Sequence, residues 1–260
     1  MKNLRTWGKA PYKMAVVHGG PGMPGHIAPV ARELAKDMGV LEPLQTKNTI
    51  DGQVDELAEV VKKNAECPVV LIGHSWGAIL SNVMTARYPV LVKKLILIGT
   101  APLEPLKGIP DFPRIRFERL SKNEQAEMLS VGKSIEDGTA DKDGAMRQYS
   151  KFTAKGDAYE LGFYEDDVLE YQLDVGSAVG AEMMTLLSSG EYLNLSKQIT
   201  CPVVAICGDY DPRPYELVRD SLSRVHKDFK FVLLEKCGHT PWVEKYARNR
   251  FYEVLREEII

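Results

Sequence analysis

The sequence predicts an α/β fold in which a mostly parallel sheet is flanked by helices on both faces. Apolar runs of strand length alternate with helical patterns along most of the 260 residues, an order that favours βαβ units. The predicted strands are apolar throughout rather than at alternate positions, as expected where both faces of a parallel sheet are covered. The alternation is interrupted once, so residues 1–100 and 197–260 are predicted to form the core and residues 101–196 a helical cap.

Each predicted element of the core has a local signal. The strands are Met14–His18, Leu44–Lys47, Val69–His74, Leu95–Gly99, Val203–Gly208 and Lys230–Glu235. The helices are His26–Met38, Asp51–Asn64, Ala78–Tyr88, Tyr215–His226 and Pro241–Ile260. Asp51 is the expected N-cap of the second helix, whose apolar residues follow a helical period. Pro89 ends the third helix, because proline cannot continue a helix.

The segment 101–196 contains no clear β run and several helix-like stretches, including Glu124–Ser130 and Asp166–Leu173. Structureless loops of that length are uncommon in compact domains, so helices over the sheet are the preferred interpretation. No Lys or Arg lies between Lys155 and Lys197, a stretch rich in Asp and Glu. This acidic stretch is interpreted either as a solvated helix face or as a negative wall that selects a cationic substrate group.

Composition and charge argue against several classes of function. The formal net charge of −3 and the lack of a basic cluster argue against binding to nucleic acid or to an acidic membrane surface. No apolar run approaches the roughly 20 residues needed to span a bilayer, and the polar N-terminal stretch predicts no secretory signal. The four cysteines form no C-x-x-C pair and are expected to be free thiols, buried or partly buried. We therefore expect a cytoplasmic protein, a monomer or small homo-oligomer, with no metal or organic cofactor.

The pentapeptide Gly73–Gly77 reads G-x-S-x-G and directly follows the predicted strand Val69–His74. Glycines flank Ser75 where, at a sharp strand-to-helix turn, a Cβ would collide with the neighbouring strand and helix. Such a turn holds a serine hydroxyl clear of the sheet, at the positive end of a helix. Ser75 is therefore the candidate nucleophile.

A serine hydroxyl needs a base, and histidine is suited to that role because its ordinary pKa lies near neutral pH. Among the five histidines, His239 is preferred because it lies in a loop after the last predicted strand. That loop leaves the same edge of the sheet as Ser75. The other four are expected to brace a loop (His18), to lie at a helix start (His26), to point into the sheet–helix packing (His74) and to lie on the surface (His226).

The loop Gly208–Pro212 follows the preceding strand and offers two carboxylates to orient the base. Asp211 is preferred as the acid, because it lies deeper in the loop and before a proline that fixes the turn. Asp209, directly after the strand-ending glycine, is the alternative acid or a brace for the loop. The order Ser75, Asp211, His239 along the chain is that of an acyl-transfer triad on one particular fold.

An acyl-transfer site also needs two preorganised N–H groups for the negative charge that develops on the substrate oxygen. The loop His18–Gly22 follows the first predicted strand at the same sheet edge, and its glycines permit close approach of the backbone. The amides of Gly20 and Trp76 are the predicted oxyanion hole. A phosphate cradle is the alternative for this loop, but the loop lacks G-x-x-x-x-G-K-[ST] and matches G-x-G-x-x-G poorly.

Taken in order along the chain, these motifs resemble the α/β-hydrolase fold family. The resemblance implies the α/β-hydrolase fold with a cap after Leu95–Gly99. His18–Gly22, together with Ser75-Trp76-Gly77, resembles the prolyl-iminopeptidase branch, whose acidic cap residues hold the free amine of a substrate. His74 departs from the Gly-Gly-Ser-Trp-Gly of that branch. The usual opening β hairpin of the branch is expected to be trimmed or missing.

We therefore predict a serine hydrolase that cleaves a small carboxylic ester or amide through Ser75, His239 and Asp211, with an acyl-enzyme intermediate. Esterase activity is favoured over aminopeptidase activity, because Gly-His-Ser-x-Gly is shared by esterases, lactonases and carbon–carbon bond hydrolases of the fold. The alternatives are a prolyl-iminopeptidase-like aminopeptidase and a ligand-binding receptor that retains the hydrolase fold. The fold alone does not fix the substrate.

Overall fold

The computed structural model describes residues 2–104, 111–139 and 141–259. Within these residues a seven-stranded sheet has the order β1-β3-β2-β4-β5-β6-β7. The strands are β1 (Leu4–Trp7), β2 (Tyr12–Val17), β3 (Gly39–Pro43), β4 (Val69–His74), β5 (Val92–Ile98), β6 (Val203–Gly208) and β7 (Phe229–Leu234). β1 runs antiparallel to β3, and all other neighbouring strands are parallel. The predicted mostly parallel sheet is confirmed.

Helices cover both faces of this sheet. The core helices are α1 (Ala28–Leu34), α2 (Ile50–Asn64), α3 (Trp76–Arg87), α9 (Tyr215–Val225) and α10 (Arg248–Ile259), and single 3-10 turns lie at Pro89–Leu91 and Pro241–Val243. The described residues between β5 and β6 form α4 (Phe112–Glu118), α5 (Lys122–Glu136), α6 (Lys142–Asp157), α7 (Leu173–Ser189) and α8 (Glu191–Ser196). The division into a core and a separate cap remains a prediction.

Alternate strand residues contribute to two hydrophobic clusters, one on each face of the sheet. Leu71 of β4 packs with α2 and α3, whereas the next residue, Ile72, packs with α1 and α10. Helices α7 and α8 add residues such as Tyr192 to the first cluster, while Phe152 of α6 belongs to a small cluster of its own with α5. Part of the inserted helical segment is therefore continuous with the main core.

The first strand is not predicted from the sequence. β1 is a partly exposed edge strand, so its residues lack the continuous apolar pattern of the other strands. It is held by side chains: Arg5 and Trp7 both donate to Glu42, which is fully buried on β3. No hairpin joins β1 and β2, because β3 lies between them in the sheet.

Two predicted boundaries near β3 are wrong. The strand expected at Leu44–Lys47 lies earlier, at Gly39–Pro43, because the pairing of Glu42 with β1 stabilises a segment whose glycine, glutamate and proline disfavour a strand. α2 is capped by Thr49, whose Oγ1 accepts from the Gly52 amide at 3.1 Å. The expected cap, Asp51, lies inside the first turn of the helix.

Two predicted helices are also corrected. Residues 166–172 form no helix, and α7 begins only at Leu173. The backbone of the segment before α7 pairs instead with the glycine-rich loop after β2. The Leu169 amide donates to the Pro24 carbonyl and the Gln172 amide to the Gly22 carbonyl, both at 2.9 Å. The single helix expected over residues 241–260 is a 3-10 turn followed by α10, with a break at residues 244–247.

Candidate active site

Ser75 lies on the turn between β4 and α3, with φ 52° and ψ −117°, a backbone conformation that is strained for an L-residue. A Cβ on Gly73 would lie 2.2 Å from the Gly77 carbonyl oxygen, and a Cβ on Gly77 would lie 2.3 Å from the Val17 carbonyl oxygen. The Ser75 amide donates to the Ile98 carbonyl at 2.9 Å. These contacts account for both glycines of the pentapeptide and hold the half-buried serine at the carboxyl edge of the sheet.

His239 lies in the loop after β7, and its Nδ1 is 2.6 Å from Oδ2 of Asp211. Because a carboxylate only accepts, Nδ1 carries the proton and donates it, which leaves a lone pair on Nε2. Nε2 has no hydrogen-bond partner within the described ranges. An imidazole held in this way has the geometry of a general base.

Asp211 is almost fully buried, and its Oδ1 accepts from the Arg213 amide at 3.0 Å and from Arg213 Nη1 at 3.3 Å. Burial alone raises the pKa of Asp211, but His239 and Arg213 outweigh it and hold the pKa well below its ordinary value. The Oδ1 of Asp209 accepts instead from the Cys237 amide at 3.1 Å. Of the two carboxylates weighed for this loop, the structure brings Asp211 to His239.

The amides of Gly20 and Trp76 lie on two segments that adjoin Ser75. α3 begins at Trp76, so its amide is among the first helical N–H groups, which have no partner within the helix. A Cβ on Gly19, next to Gly20, would lie 3.1 Å from the Ser75 Cβ. Gly20 itself has φ +65°, and a Cβ there would lie 2.5 Å from the Met23 sulfur. Their role as an oxyanion hole remains a prediction.

Comparison with known proteins identifies the family. Residues 16–249 match the model of the alpha/beta hydrolase family. The chain belongs to the alpha/beta hydrolase family. The predictions of this fold and of a hydrolase are thereby confirmed.

Relatives of this hydrolase carry more than one activity in their names. It is 25% identical over 250 residues to the proline iminopeptidase of Heyndrickxia coagulans. That alignment spans 88% of this chain and 85% of the iminopeptidase. It is also 25% identical over 194 residues to the pimeloyl-[acyl-carrier protein] methyl ester esterase of Shewanella woodyi. That alignment spans 75% of this chain and 72% of the esterase. The crystal structure of wild-type Cfl2 from Burkholderia cenocepacia superposes with a TM-score of 0.72 at 19% identity, over 99% of this chain and 91% of that chain. The family assignment thus leaves the substrate open.

Two further histidines of this hydrolase lie beside the candidate base. His74 Nε2 donates to the His239 carbonyl oxygen at 3.0 Å, and the two rings are 4.8 Å apart. His26 in turn stacks on His74 at 5.5 Å. Burial lowers the pKa of both, that of His26 to about 4, so these rings add little positive charge to the site at neutral pH. His74 is buried and packs on Trp242, as expected of a ring in the sheet–helix packing, and it also supports the His239 loop.

The remaining histidines lie away from the candidate base. His18 Nδ1 donates to the Gly19 carbonyl at 3.1 Å, in agreement with its expected role as a brace for the glycine-rich loop. His226 is buried, against the expectation of a surface residue, and its Nε2 forms a hydrogen bond with Ser196 Oγ at 3.0 Å. It lies at the C-cap of α9, where the helix turns the ring inward.

Five of the nine carboxylates of the acidic stretch form ion pairs with bases that lie elsewhere in the sequence. Glu165 and Asp167 both form ion pairs with Arg32 of α1, and Asp166 pairs with Arg147 of α6 at 3.1 Å. The lack of Lys and Arg within the stretch therefore does not leave these three carboxylates uncompensated. The structure gives no support for a negative wall at this position.

The described residues contain no group of three or more His, Cys, Asp or Glu side chains arranged to hold a metal ion. No helix in the part of the chain that the structure describes is both long and apolar enough to cross a membrane. All four cysteines are free thiols, as expected. Cys67 is exposed, however, because it precedes β4 at the amino edge of the sheet, outside the core.

Proposed function

We propose that this hydrolase cleaves a small carboxylic ester or amide through a Ser75–His239–Asp211 triad and an acyl-enzyme intermediate. The observation that carries the proposal is the 2.6 Å hydrogen bond from His239 Nδ1 to Asp211. This bond fixes the tautomer in which Nε2 accepts a proton, on a loop that packs against the residue preceding Ser75.

In the proposed reaction, Ser75 Oγ attacks the substrate carbonyl carbon while His239 Nε2 accepts the hydroxyl proton. The amides of Gly20 and Trp76 donate to the resulting oxyanion. His239 then gives the proton to the leaving alcohol or amine, and the acyl group stays on Ser75. A water molecule attacks the acyl carbonyl with His239 again as base, which releases the acid and restores the serine. No step of this scheme uses a metal or an organic cofactor.

Labelling with a fluorophosphonate probe and turnover of p-nitrophenyl acetate test the proposal. Ser75→Ala is expected to lose both. Asp211→Asn is expected to lower kcat by up to about 10⁴-fold, because an amide favours the wrong histidine tautomer. Asp209→Asn is the matched control in the same loop and is expected to retain turnover, since asparagine keeps an acceptor oxygen for the Cys237 amide. Equal labelling and turnover in wild type and Ser75→Ala would refute the proposal and leave a ligand-binding receptor of this fold.

A second candidate function is a prolyl-iminopeptidase-like aminopeptidase. It is supported by the similarity to the iminopeptidase of Heyndrickxia coagulans and by Trp76 after the serine. The ion-paired state of Glu165–Asp167 argues against it, because those carboxylates are not free to hold a substrate amine. A panel that compares proline p-nitroanilide with short acyl esters decides between the two. We expect the esters to give the higher kcat/KM.

We further propose that the protein acts in the cytoplasm as a monomer or small homo-oligomer. The four free thiols support a reducing compartment. Light scattering coupled to size-exclusion chromatography measures the oligomeric state, and a large assembly would contradict this part of the proposal.

A further inference from the structure

Glu244 is a buried carboxylate that accepts three backbone hydrogen bonds. It is fully buried and follows the 3-10 turn after His239. Its Oε1 accepts from the Gly238 amide at 2.6 Å and from the Tyr159 amide at 2.9 Å. Its Oε2 accepts from the Glu160 amide at 3.1 Å. One side chain thus satisfies three buried N–H donors, each of which is costly to leave unpaired.

These donors come from two separate parts of the chain. Gly238 directly precedes His239, whereas residues 159 and 160 follow α6 at the base of the inserted helices. The same two parts also pair through their backbones, because residues 160–163 form hydrogen bonds of 2.9 to 3.0 Å with residues 243–245. Glu244 therefore lies at the junction of the inserted helices and the His239 loop.

A second attachment holds the same loop. The His239 amide donates to the Asp157 carbonyl at 3.2 Å. The Asp157 carboxylate, at the end of α6, forms two hydrogen bonds of 2.8 Å with Arg116 of α4. The contact is close enough that a Cβ on Gly238 would lie 1.8 Å from the Asp157 carbonyl oxygen. The main chain on both sides of the His239 amide is thus fixed against the inserted helices.

We propose that Glu244 is a positioning residue for the reaction described under Proposed function, on which this inference rests. By holding the Gly238 amide to the base of the inserted helices, Glu244 sets the direction in which the His239 ring projects toward Ser75 and Asp211. Displacing a reacting group by about 1 Å can cost about 100-fold in rate. A small shift of this loop is therefore expected to affect turnover before it affects folding.

The site uses both oxygens of the Glu244 carboxylate. Burial raises the pKa of Glu244, although its three amide donors act in the opposite direction. What the carboxylate supplies is two acceptor oxygens at the point where three N–H groups converge, and a glutamine amide supplies only one.

The variant Glu244→Gln tests this role while keeping the size of the side chain. Its NH₂ group must face at least one of the three amide donors, so the loop loses a hydrogen bond and shifts. We expect kcat for a p-nitrophenyl ester to fall about tenfold or more, with KM little changed. In proton NMR spectra, the His239 Nδ1 proton is expected at low field in wild type, to be absent in His239→Gln and to be displaced or broadened in Glu244→Gln.

Glu42→Gln is the matched control. Glu42 is also a fully buried carboxylate with three N–H donors, but it joins β1 and β3 instead of the His239 loop. It is expected to lower stability and leave kcat unchanged. Rates are expressed per active site by fluorophosphonate titration. If Glu244→Gln is too unstable, Glu244→Asp retains both oxygens, drawn back by one methylene, and is expected to lower kcat in the same way.

The outcomes separate this inference from the proposed function. If His239→Gln retains turnover, the proposed triad is wrong whatever the Glu244 variants do. If His239→Gln abolishes turnover but Glu244→Gln keeps the wild-type kcat and the wild-type resonance, the triad stands and the role of Glu244 is refuted. A fall in kcat of equal size in Glu42→Gln also refutes it, because loss of any buried carboxylate would then explain the effect.

Discussion

Replacing His18 with glutamine is expected to remove a defined part of the acid lability of this protein. His18 is fully buried, and its Nδ1 donates to the Gly19 carbonyl at 3.1 Å. Burial lowers the pKa of His18 to about 4, although the hydrogen bonds of the ring with Gly19, Gly20 and Gln45 act to raise it. The native protein therefore keeps this ring neutral at a pH where the unfolded chain binds a proton.

The size of the effect follows from the two pKa values. The native pKa of about 4 lies below the ordinary histidine pKa of 6.5, so the unfolded state binds more protons between these two pH values. The stability that neutral His18 contributes is thus fully present above pH 6.5 and is lost as the pH falls toward 4. Linkage between proton binding and folding makes this loss about 2 kcal/mol between pH 7 and pH 5, rising to about 3 kcal/mol at pH 4.

Urea unfolding of wild type and His18→Gln at pH 7, 6 and 5 measures this difference. Other groups titrate in both proteins, so the loss of unfolding free energy between pH 7 and pH 5 is expected to be about 2 kcal/mol smaller in the variant. Only this pH-dependent part is diagnostic, because glutamine alters stability at every pH. His26→Gln is a second case, since the pKa of His26 is also lowered to about 4. Identical losses in wild type and His18→Gln would show that burial does not depress the pKa of this histidine.

Three further predictions concern backbone geometry and are measured by thermal or urea unfolding. Ser75→Gly is expected to be about 1 kcal/mol more stable than Ser75→Ala, because glycine relieves the strain at φ 52°; equal stability would argue against that strain. Gly238→Ala is expected to lose stability and turnover, since its Cβ would lie 1.8 Å from a carbonyl oxygen. Gly180→Ala is the control on α7, where the new methyl group has open space, and its unfolding free energy is expected to rise by up to about 1 kcal/mol. Thr49→Ala is expected to lower the unfolding free energy by about 1 kcal/mol, because it removes the N-cap of α2. A larger loss in Asp51→Ala would show that Asp51, and not Thr49, caps this helix.

The sequence by itself determined the class of fold and the places where chemistry can occur. β4 and β6 have the bounds predicted for them, Val69–His74 and Val203–Gly208. Both are continuous apolar runs, which is the pattern of a strand buried on two faces. Because parallel strands end at one edge, the loops that follow them predicted that Ser75, His239 and the two aspartates lie near one another.

The tertiary structure alone decided which side chains meet. Asp211 and His239 are 28 residues apart in sequence, and His74 reaches a carbonyl 165 residues away. Local periodicity reports which face of an element is apolar, but it does not report the direction of a loop side chain or its partner. For the same reason no sequence pattern predicted a role for Glu244: its three amide partners come from two loops that only folding brings together.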